Sequence, residues 1–301
     1  MLDPLILLQI GWTSVATATY SVLFAIAFAL TLKVARLWNF AQAGIMGLAF
    51  YSMYATILGM GWPHLAGFAF ALTIAIAASV AVELLGFRVF RRRRSSPLIV
   101  FIFTIVLAEF VSYLLSLLFG TEPQTLTKSI FYDVHVVGGV AISDWDLRAL
   151  AITVPLCVAL NAYLRHTRQG QFLYAVADDG ELAELYGISA NRAYLVSLVI
   201  AAVCVCTGVY LYGTRASMVP TTPLELMLLS VIATILGGIG SLLGAASAAV
   251  FLSLLQSASI LVIPSQWQSS LTYFVLFVVI LFFPTGFRVP GWLRWNTSTR
   301  S

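Results

Sequence analysis

Long apolar segments, separated by short polar stretches, recur along the whole chain and limit the folds that it can adopt. Of its 301 residues, 60% are hydrophobic and 9% are charged, and the mean hydropathy is +0.97. Soluble globular proteins carry far more charge than this. A helix of about 20 apolar residues crosses the hydrocarbon core of a bilayer, whereas barrel strands give alternating patterns. The sequence therefore predicts an all-α polytopic membrane protein with a single transmembrane domain over residues 1–301.

Eight or nine membrane-spanning helices fit into this length. The predicted spans are residues 12–32, 40–60, 65–88, 97–119, 148–164, 193–212, two within 224–263, and 270–284. All basic residues except Lys128, Arg148 and Arg215 then fall on one side, which the positive-inside rule makes cytoplasmic. The N-terminus is predicted outside, the C-terminus inside, and residues 120–147 form an external loop. Nine crossings satisfy this topology, and eight suffice if one segment beside a glycine-rich break re-enters the membrane.

Residue types that usually carry catalysis are sparse and scattered. The cysteines lie inside apolar segments and the histidines lie far apart, so neither set has the spacing of a metal site. These residues are Cys157, Cys204, Cys206, His64, His135 and His166. No phosphate-binding loop occurs, and the basic residues cluster at span ends. We therefore expect no enzymatic activity, no metal, no cofactor bound by this chain and no nucleic-acid partner.

The second predicted span begins with polar and small residues. Asn39, Gln42 and Gly44 interrupt the apolar pattern where the helix should enter the membrane. Asn39 could simply cap the start of the helix. Alternatively, a broken helix near residues 38–46 could line a substrate path, as in transporters with discontinuous helices.

A second interruption lies in the other half of the chain, near residues 237–244. Gly237, Gly238 and Gly240 divide an apolar stretch that is too long for one span. Close packing of helices through small residues is one explanation. A break on the substrate path is the other, and the presence of one break in each half favours a transporter.

Two carboxylates lie within predicted spans, where charge is costly and often functional. Glu109 has no basic residue nearby in sequence, so it must face a wet cavity, accept a hydrogen bond or be protonated. Both a functional and a structural role remain open for it. Glu83 lies near Arg88 and Arg91, and we expect it to form a structural ion pair.

Residues 165–192 form a polar loop that the topology places in the cytoplasm. A short helix is predicted within it, with Asp178 as N-cap, Glu181 three residues later and Gly187 as the C-terminal stop. Such a short helix is marginal in water unless it docks on something.

The two faces of this helix differ in character. Leu182, Leu185 and Tyr186 share one apolar face, at positions i, i+3 and i+4. The remaining surface is acidic and comprises Asp179, Glu181 and Glu184. An ordinary capped loop helix and a partner-binding element both fit this pattern.

Three motifs, in order along the chain, resemble those of permease subunits of bacterial branched-chain amino acid ABC importers. The segment WNFAQAGIMGLAFYSMY resembles the family's NFAHGE-type entry to the second span. VADDGELAELYGIS resembles its AED-x-x-A-x-x-x-GI cytoplasmic loop, and TILGGIGSLLGAASAAV resembles its LGGIGS-x-x-GA hairpin. A PTG sequence near the end adds to the resemblance, which covers nearly the whole chain.

The resemblance implies a multi-pass permease of the bacterial inner membrane. Its expected partners are a second homologous permease, two cytoplasmic ABC ATPases that use ATP, and a periplasmic or extracellular solute-binding protein. The 178–187 helix would be the coupling helix that docks on an ATPase. Asn39, Gln42, Gly44 and Glu109 would line the path, and the glycine break would shape it.

Two features depart from the family pattern and concern the substrate. Gln42 and Ala43 stand where the family commonly has His and Gly, and Glu109 stands where a neutral residue is expected. Branched-chain or other hydrophobic amino acids are the predicted substrates, with urea, short amides or other amino acids as alternatives. An ion-coupled secondary transporter that uses Glu109 is the alternative from another class.

Overall fold

The computed structural model describes residues 4–127 and 133–259, together with residues 261, 270, 273–275, 277, 278 and 281. The helices of the first half are α1 (Pro4–Ala35), α2 (Ala41–Tyr54), α3 (His64–Ala81), α4 (Arg88–Arg92) and α5 (Pro97–Phe119). Those of the second half are α6 (Asp144–His166), α7 (Arg168–Asp178), α8 (Gly180–Leu185), α9 (Ala190–Arg215), α10 (Thr222–Leu236) and α11 (Leu242–Ser259). Two π-helical turns, Ala55–Gly59 and Val82–Phe87, extend α2 and join α3 to α4.

Seven helical segments of the described residues are long and apolar enough to cross a membrane. They are Leu5–Ala35, Ala41–Gly59, His64–Arg92, Pro97–Phe119, Asp144–His166, Ala190–Arg215 and Leu242–Ser259. Helix α10 is apolar but has only 15 residues. The predicted last span, residues 270–284, lies mostly outside the described residues. The prediction of an all-α polytopic membrane protein is confirmed.

The predicted external loop contains a small antiparallel hairpin, β1 (Val134–Val137) and β2 (Val140–Ser143), which was not predicted. The helix that follows begins at Asp144, whereas the sequence predicted a start at residue 148. A capping box explains the earlier start: Ser143 Oγ accepts from the Trp145 amide at 3.3 Å, and Asp146 Oδ2 accepts from the Ser143 amide at 3.1 Å. The charged residues Asp144 and Asp146 thus belong to the helix and not to the loop.

Helices α1, α2 and α9 form the core, and α3, α5, α6 and α11 pack around them with most of their own residues less buried. Small residues allow the central helices to approach closely. A Cβ added to Gly208 of α9 would lie 2.6 Å from Phe24 Cε1 of α1, and one added to Gly213 would lie 2.6 Å from Phe50 Cε2 of α2. Aromatic side chains of α1 and α2 therefore fill the space that the α9 glycines leave.

Hydroxyl groups inside the long helices bond to the preceding turn of their own backbone. Ser14 Oγ donates to the Ile10 carbonyl at 2.6 Å, Thr31 Oγ1 to Phe28 at 2.9 Å, and Thr207 Oγ1 to Val203 at 2.8 Å. A bilayer core offers no water for such groups, so this local bonding satisfies them. These polar residues of α1 and α9 are thus accounted for without a ligand.

The predicted glycine break is confirmed, because α10 ends at Leu236 and α11 begins at Leu242. Gly238 and Gly240 have φ values of 91° and 93°, which residues with a side chain rarely adopt. Gly237 and Gly244 approach so closely that a Cβ on either would overlap the backbone of the other. The break is therefore a tight turn held by backbone contact.

Replacing Gly237 or Gly244 with alanine should destabilise this turn, because the added methyl group meets backbone and not a movable side chain. Overpacking of this kind costs about 1–3 kcal/mol. The measurement is the temperature at which half of the detergent-solubilised protein is lost from the monodisperse peak in size-exclusion chromatography. Gly11→Ala is the control, since nothing lies within 4 Å of its added Cβ; an equal effect of all three variants would contradict this account.

Candidate functional site

The connection between α1 and α2 packs against α5 about two turns from the start of that helix. The hydroxyl of Thr104 donates to the Phe101 carbonyl of its own helix at 2.7 Å and shares its proton with the Trp38 carbonyl at 3.2 Å. Thr104 is about 10 Å along α5 from the helix start at Pro97. The Trp38 ring also packs against Phe28 of α1 in a tilted arrangement, with centroids 6.0 Å apart. Residues 36–40 are therefore non-helical backbone that starts at the exposed Arg36 and becomes buried at Asn39 and Phe40.

The broken helix predicted near residues 38–46 has a simpler form. Helix α2 is regular from Ala41 onward, so the interruption ends before that residue. Phe40 occupies the N-cap position, and the helix start has no side-chain cap. The alternative in which Asn39 caps α2 is thus wrong, because Asn39 lies one residue too early.

Asn39 and Gln42 are each 2% exposed, and their side-chain amides make no hydrogen bond to the described residues. A buried polar group without a partner costs about 1–3 kcal/mol. Such groups in a native protein need an explanation, and a functional role is one. Two buried amides without a partner among the described residues therefore lie at the entry to α2, Asn39 just before the N-cap and Gln42 in the first turn.

A small cleft with a cavity volume of about 50 Å³ opens beside this turn, between α2, α5 and the start of α10. Ser112 Oγ of α5 donates to the Pro220 carbonyl at 2.8 Å, which fixes the start of α10 against α5. The residues that line the cleft are Ala43, Gly44, Gly47, Ala108, Glu109, Val111, Ser112, Leu115, Pro220, Thr221, Pro223 and Leu224. Two of the predicted path residues, Gly44 and Glu109, thus lie on the same cavity.

Glycines of α2 determine the shape of the cleft. A Cβ added to Gly44 would lie 3.3 Å from Val111 Cβ, and one added to Gly47 would lie 2.8 Å from Leu115 Cδ1. The backbone of α2 therefore approaches α5 closely at both positions. Larger residues at either position would separate the two helices or narrow the cleft.

Glu109 is half-buried and lies about 18 Å along α5, which is about 33 Å long. Its carboxylate forms no ion pair or hydrogen bond with the described residues. A carboxylate at mid-membrane depth needs water, a proton or a ligand. Its position on the cleft supplies access to each of these.

The other predicted path residues, Gly237, Gly238 and Gly240, are not brought to this cleft. They follow the far end of α10, about 20 Å along that helix from Leu224. The structure thus separates the glycine turn from the cleft beside Glu109, and α10 connects the two.

Glu83 forms its predicted ion pair, and the partner is Arg91. The guanidinium of Arg91 also lies 4.4 Å from the ring centroid of Tyr194 on α9. Glu83 is 2% exposed, and removing only one partner of a buried pair leaves an uncompensated charge. This pair and the Tyr194 contact therefore join the end of the His64–Arg92 segment to the first turns of α9, in agreement with a structural role.

The predicted cytoplasmic loop contains two helices where the sequence indicated one. Helix α7 was missed, although Thr167 caps it by accepting from the Gly170 amide at 3.0 Å. Its Leu173, Val176 and Ala177 are buried at spacings of three and four residues, which was a usable signal. Burial raises the pKa of the Tyr174 phenol on the same helix, so this ring remains neutral.

Helix α8 begins one residue later than predicted, because Asp179 and not Asp178 is its N-cap. Asp179 Oδ1 accepts from the amides of Glu181 and Leu182, each at 3.0 Å, whereas Asp178 ends α7. Glu181 is then too close to the cap for a capping box. Gly187 has a φ of 82° and ends the helix as predicted.

The apolar face of α8 is open. Only Ala183 of this helix is buried, whereas Leu182, Leu185 and Tyr186 are 51%, 84% and 79% exposed. Glu181 and Glu184 are exposed beside them. Exposed apolar side chains with an acidic border are typical of a surface that binds another protein.

No group of three or more His, Cys, Asp or Glu residues with metal-binding geometry occurs within the described residues. Cys204 and Cys206 are buried among the apolar residues of α9, and Cys157 is half-buried on α6; all three are free thiols.

Comparison with known families decides the identity of the fold. Residues 12–284 match the family described as the branched-chain amino acid transport system, permease component. The chain belongs to this permease family. The match runs from the first third of α1 past the end of α11, so it includes the α1–α2 connection, the cleft, α8 and the glycine turn.

Relatives of known function agree with this assignment. The high-affinity branched-chain amino acid transport system permease protein LivH of Escherichia coli (strain K12) is 27% identical over 283 residues, covering 89% of this chain and 91% of that protein. The corresponding protein BraD of Pseudomonas aeruginosa is 24% identical over 282 residues, with coverage of 89% and 91%. A probable ABC transporter permease of Sinorhizobium fredii, y4mJ, is 28% identical over 136 residues, which is 42% of this chain and 41% of that protein.

One solved structure shares the fold. A chain of PsaBC from Streptococcus pneumoniae, in complex with Fab, superposes with a TM-score of 0.50 and covers 90% of this chain and 91% of that chain. The sequence identity is 11%, so the likeness concerns the arrangement of helices alone.

If the Glu109 cleft holds water within the membrane, cysteines placed on it should react with a polar thiol reagent. In a background without the three native cysteines, Ser112→Cys should react with a charged methanethiosulfonate about tenfold faster than a lipid-facing position, because the reagent attacks the thiolate that forms in water. Leu117→Cys is the matched control on α5, since Leu117 is 82% exposed and lies off the cleft. Labelling is measured by mass spectrometry in membrane vesicles; equal rates would contradict a wet cleft.

Proposed function

We propose that this chain is the membrane-spanning permease subunit of an ATP-driven importer for branched-chain or other hydrophobic amino acids. The observation that carries the proposal is the family match over residues 12–284, supported by the relatives LivH and BraD. The protein resides in a bacterial inner membrane with nine crossings, its N-terminus outside and its C-terminus in the cytoplasm. Seven long apolar helices, the shorter α10 and the apolar residues 270–284 supply these crossings.

The complete importer contains further chains. A second, homologous permease pairs with this one, two cytoplasmic ATPases bind and hydrolyse ATP, and an external solute-binding protein delivers the substrate. The sequence has no phosphate-binding loop, which supports the assignment of ATP binding to separate ATPase chains. This chain then obtains its energy through contact with them.

The cleft beside Glu109 is the part of the substrate route that this chain contributes. Gly44 and Glu109 line it, and the α2 turn that carries Gln42 adjoins it. Polar groups at this depth are costly unless they serve a ligand, a proton or water. In the proposed cycle the amides of Asn39 and Gln42 bond to the solute or its water as α2 shifts.

The glycine turn of Gly237, Gly238 and Gly240 serves this route from a distance. It joins α10, whose first turn lines the cleft, to α11. Two residues at positive φ make a joint about which α10 can tilt without unwinding. We therefore assign these glycines a hinge role and no contact with the solute.

The exposed surface of α8 docks on an ATPase. Leu182, Leu185 and Tyr186 insert into an apolar groove, and Glu181 and Glu184 select a basic border around it. Asp178, Asp179 and Gly187 set the ends of the segment that carries this surface. Closure of the ATPases on ATP then moves α8 and shifts the spans between outward-facing and inward-facing states.

Uptake by the reconstituted importer tests both the class and the coupling surface. Vesicles that contain both permeases and both ATPases, with the binding protein outside and ATP enclosed, should accumulate labelled leucine. Leu185→Asp should lower this uptake by about tenfold or more, because it places a carboxylate at the centre of the ATPase contact.

Gln171→Asp on α7 is the matched control, since it adds the same charge at an exposed position away from α8 and should leave uptake unchanged. Uptake that persists without the ATPases and collapses with an ion gradient would overturn the proposal in favour of an ion-coupled carrier that uses Glu109. Accumulation of urea or short amides in place of leucine would retain the class and correct the substrate.

A further inference from the structure

Arg36 joins the end of α1 to the end of α7. Its Nη2 group donates to the carbonyls of Ala177 and Asp178, at 3.0 and 2.8 Å. These are the last two residues of α7, where carbonyls lack helical partners and the helix dipole favours a cation. The side chain of Arg36 therefore acts as a C-terminal cap that comes from another helix.

Arg36 lies where the backbone leaves α1, with a φ of 51°. Arg94 adopts a similar φ of 50° at an exposed position. What distinguishes Arg36 is its pair of hydrogen bonds to the last carbonyls of α7.

Other contacts make this end of α1 and helix α7 one packed unit. Lys33 Nζ lies 4.4 Å from the centroid of the Tyr174 ring. Leu30 and Val34 of α1 share a buried cluster with Leu173 and with Ala183, the buried residue of α8. A displacement of α8 therefore reaches the end of α1 through packed side chains.

Arg36 also lies next to the segments that lead into α8 and into the α1–α2 connection. On one side, Asp178 is followed directly by Asp179, the N-cap of α8. On the other side, Trp38 is held to α5 through Thr104, and Asn39 follows it with its unpartnered amide. The guanidinium of Arg36 thus links the segment that leads into α8 with the residues that lead into the α1–α2 connection.

We propose that Arg36 is a positioning residue that transmits the movement of α8 to the α1–α2 connection, and so couples ATP hydrolysis to the opening of the solute route. The inference rests on the proposed function of this chain as a permease subunit. Arg36 touches neither the solute nor ATP. When the ATPases displace α8, the end of α7 carries the guanidinium with it, and residues 37–40 shift relative to α5.

The test measures leucine imported per ATP hydrolysed by the complete importer in vesicles. Arg36→Ala and Arg36→Met should lower this ratio about fivefold or more, the lower end of typical coupling between sites, while ATP hydrolysis itself continues. Arg36→Lys keeps a cationic donor at the helix end and should restore part of the ratio. A purely structural role would lower uptake and hydrolysis together and would not separate them.

Arg94→Ala is the matched control. Arg94 is also cytoplasmic in the proposed topology, has a φ of 50° and is exposed, so the variant loses the same charge in the same backbone conformation without affecting α7. It should retain the wild-type ratio. An unchanged ratio in Arg36→Ala, or an equal fall in Arg94→Ala, overturns the inference.

Two further outcomes are also decisive. If the Arg36→Ala and Arg36→Met importers do not assemble, the test uses leucine imported per ATP hydrolysed by the Arg36→Lys importer. A ratio equal to wild type overturns the inference, and a lowered ratio supports it. A wild-type importer without ATP-dependent uptake overturns the proposed function together with this inference. If the wild-type importer shows ATP-dependent uptake and Arg36→Ala leaves the leucine-to-ATP ratio unchanged, only the inference about Arg36 is overturned.

Discussion

A lipid bilayer offers no hydrogen-bond partner to the peptide backbone, so a chain that crosses it must remain helical wherever lipid can reach it. Irregular backbone at membrane depth is tolerated only inside protein or along a wet cavity. Residues 38–40 of the α1–α2 connection meet this condition, because the Trp38 carbonyl lies 3.2 Å from the Thr104 hydroxyl of α5 and Phe40 packs against aromatic rings of α1 and α5. The cleft beside Glu109 is lined in part by α2, which begins directly after this connection.

The same condition shapes the packing around the cleft. Helices α1, α2 and α9 remain close because glycines of α9 accept aromatic side chains from the other two. The glycines of α2 that face α5, Gly44 and Gly47, likewise bring the α2 backbone close to α5, and both of them line the cleft. The missing Cβ thus permits close approach of helices at both interfaces.

The sequence predicts much of the fold for a physical reason. Apolar runs of bilayer length, the Pro97 helix start and the glycines of the 237–241 turn are local signals, and each is confirmed. Errors arose where neighbouring signals compete. Asp178 and Asp179 are adjacent capping residues, and only the position of the preceding helix α7 decides between them.

The candidate site was less accessible to sequence reasoning. Asn39, Gln42, Gly44 and Glu109 could be selected because polar and small residues stand out in an apolar chain, and their roles remain predictions. The cleft itself could not be predicted, because it requires Pro220 and Thr221 to pack against α5, more than one hundred residues earlier in the chain. The contact of Arg36 with α7 is equally non-local.

Function in this account depends on two surfaces that this chain leaves incomplete: the cleft beside Glu109 and the exposed face of α8. The most direct measurement is a cryo-electron microscopy structure of the assembled importer, determined without nucleotide and with a non-hydrolysable ATP analogue. The account predicts that Leu185 and Tyr186 are buried in an ATPase groove, that the Glu109 cleft opens to the interface with the second permease, and that residues 36–40 shift with α8 between the two states. A structure in which α8 remains free in solution while the Glu109 cleft faces lipid would contradict it.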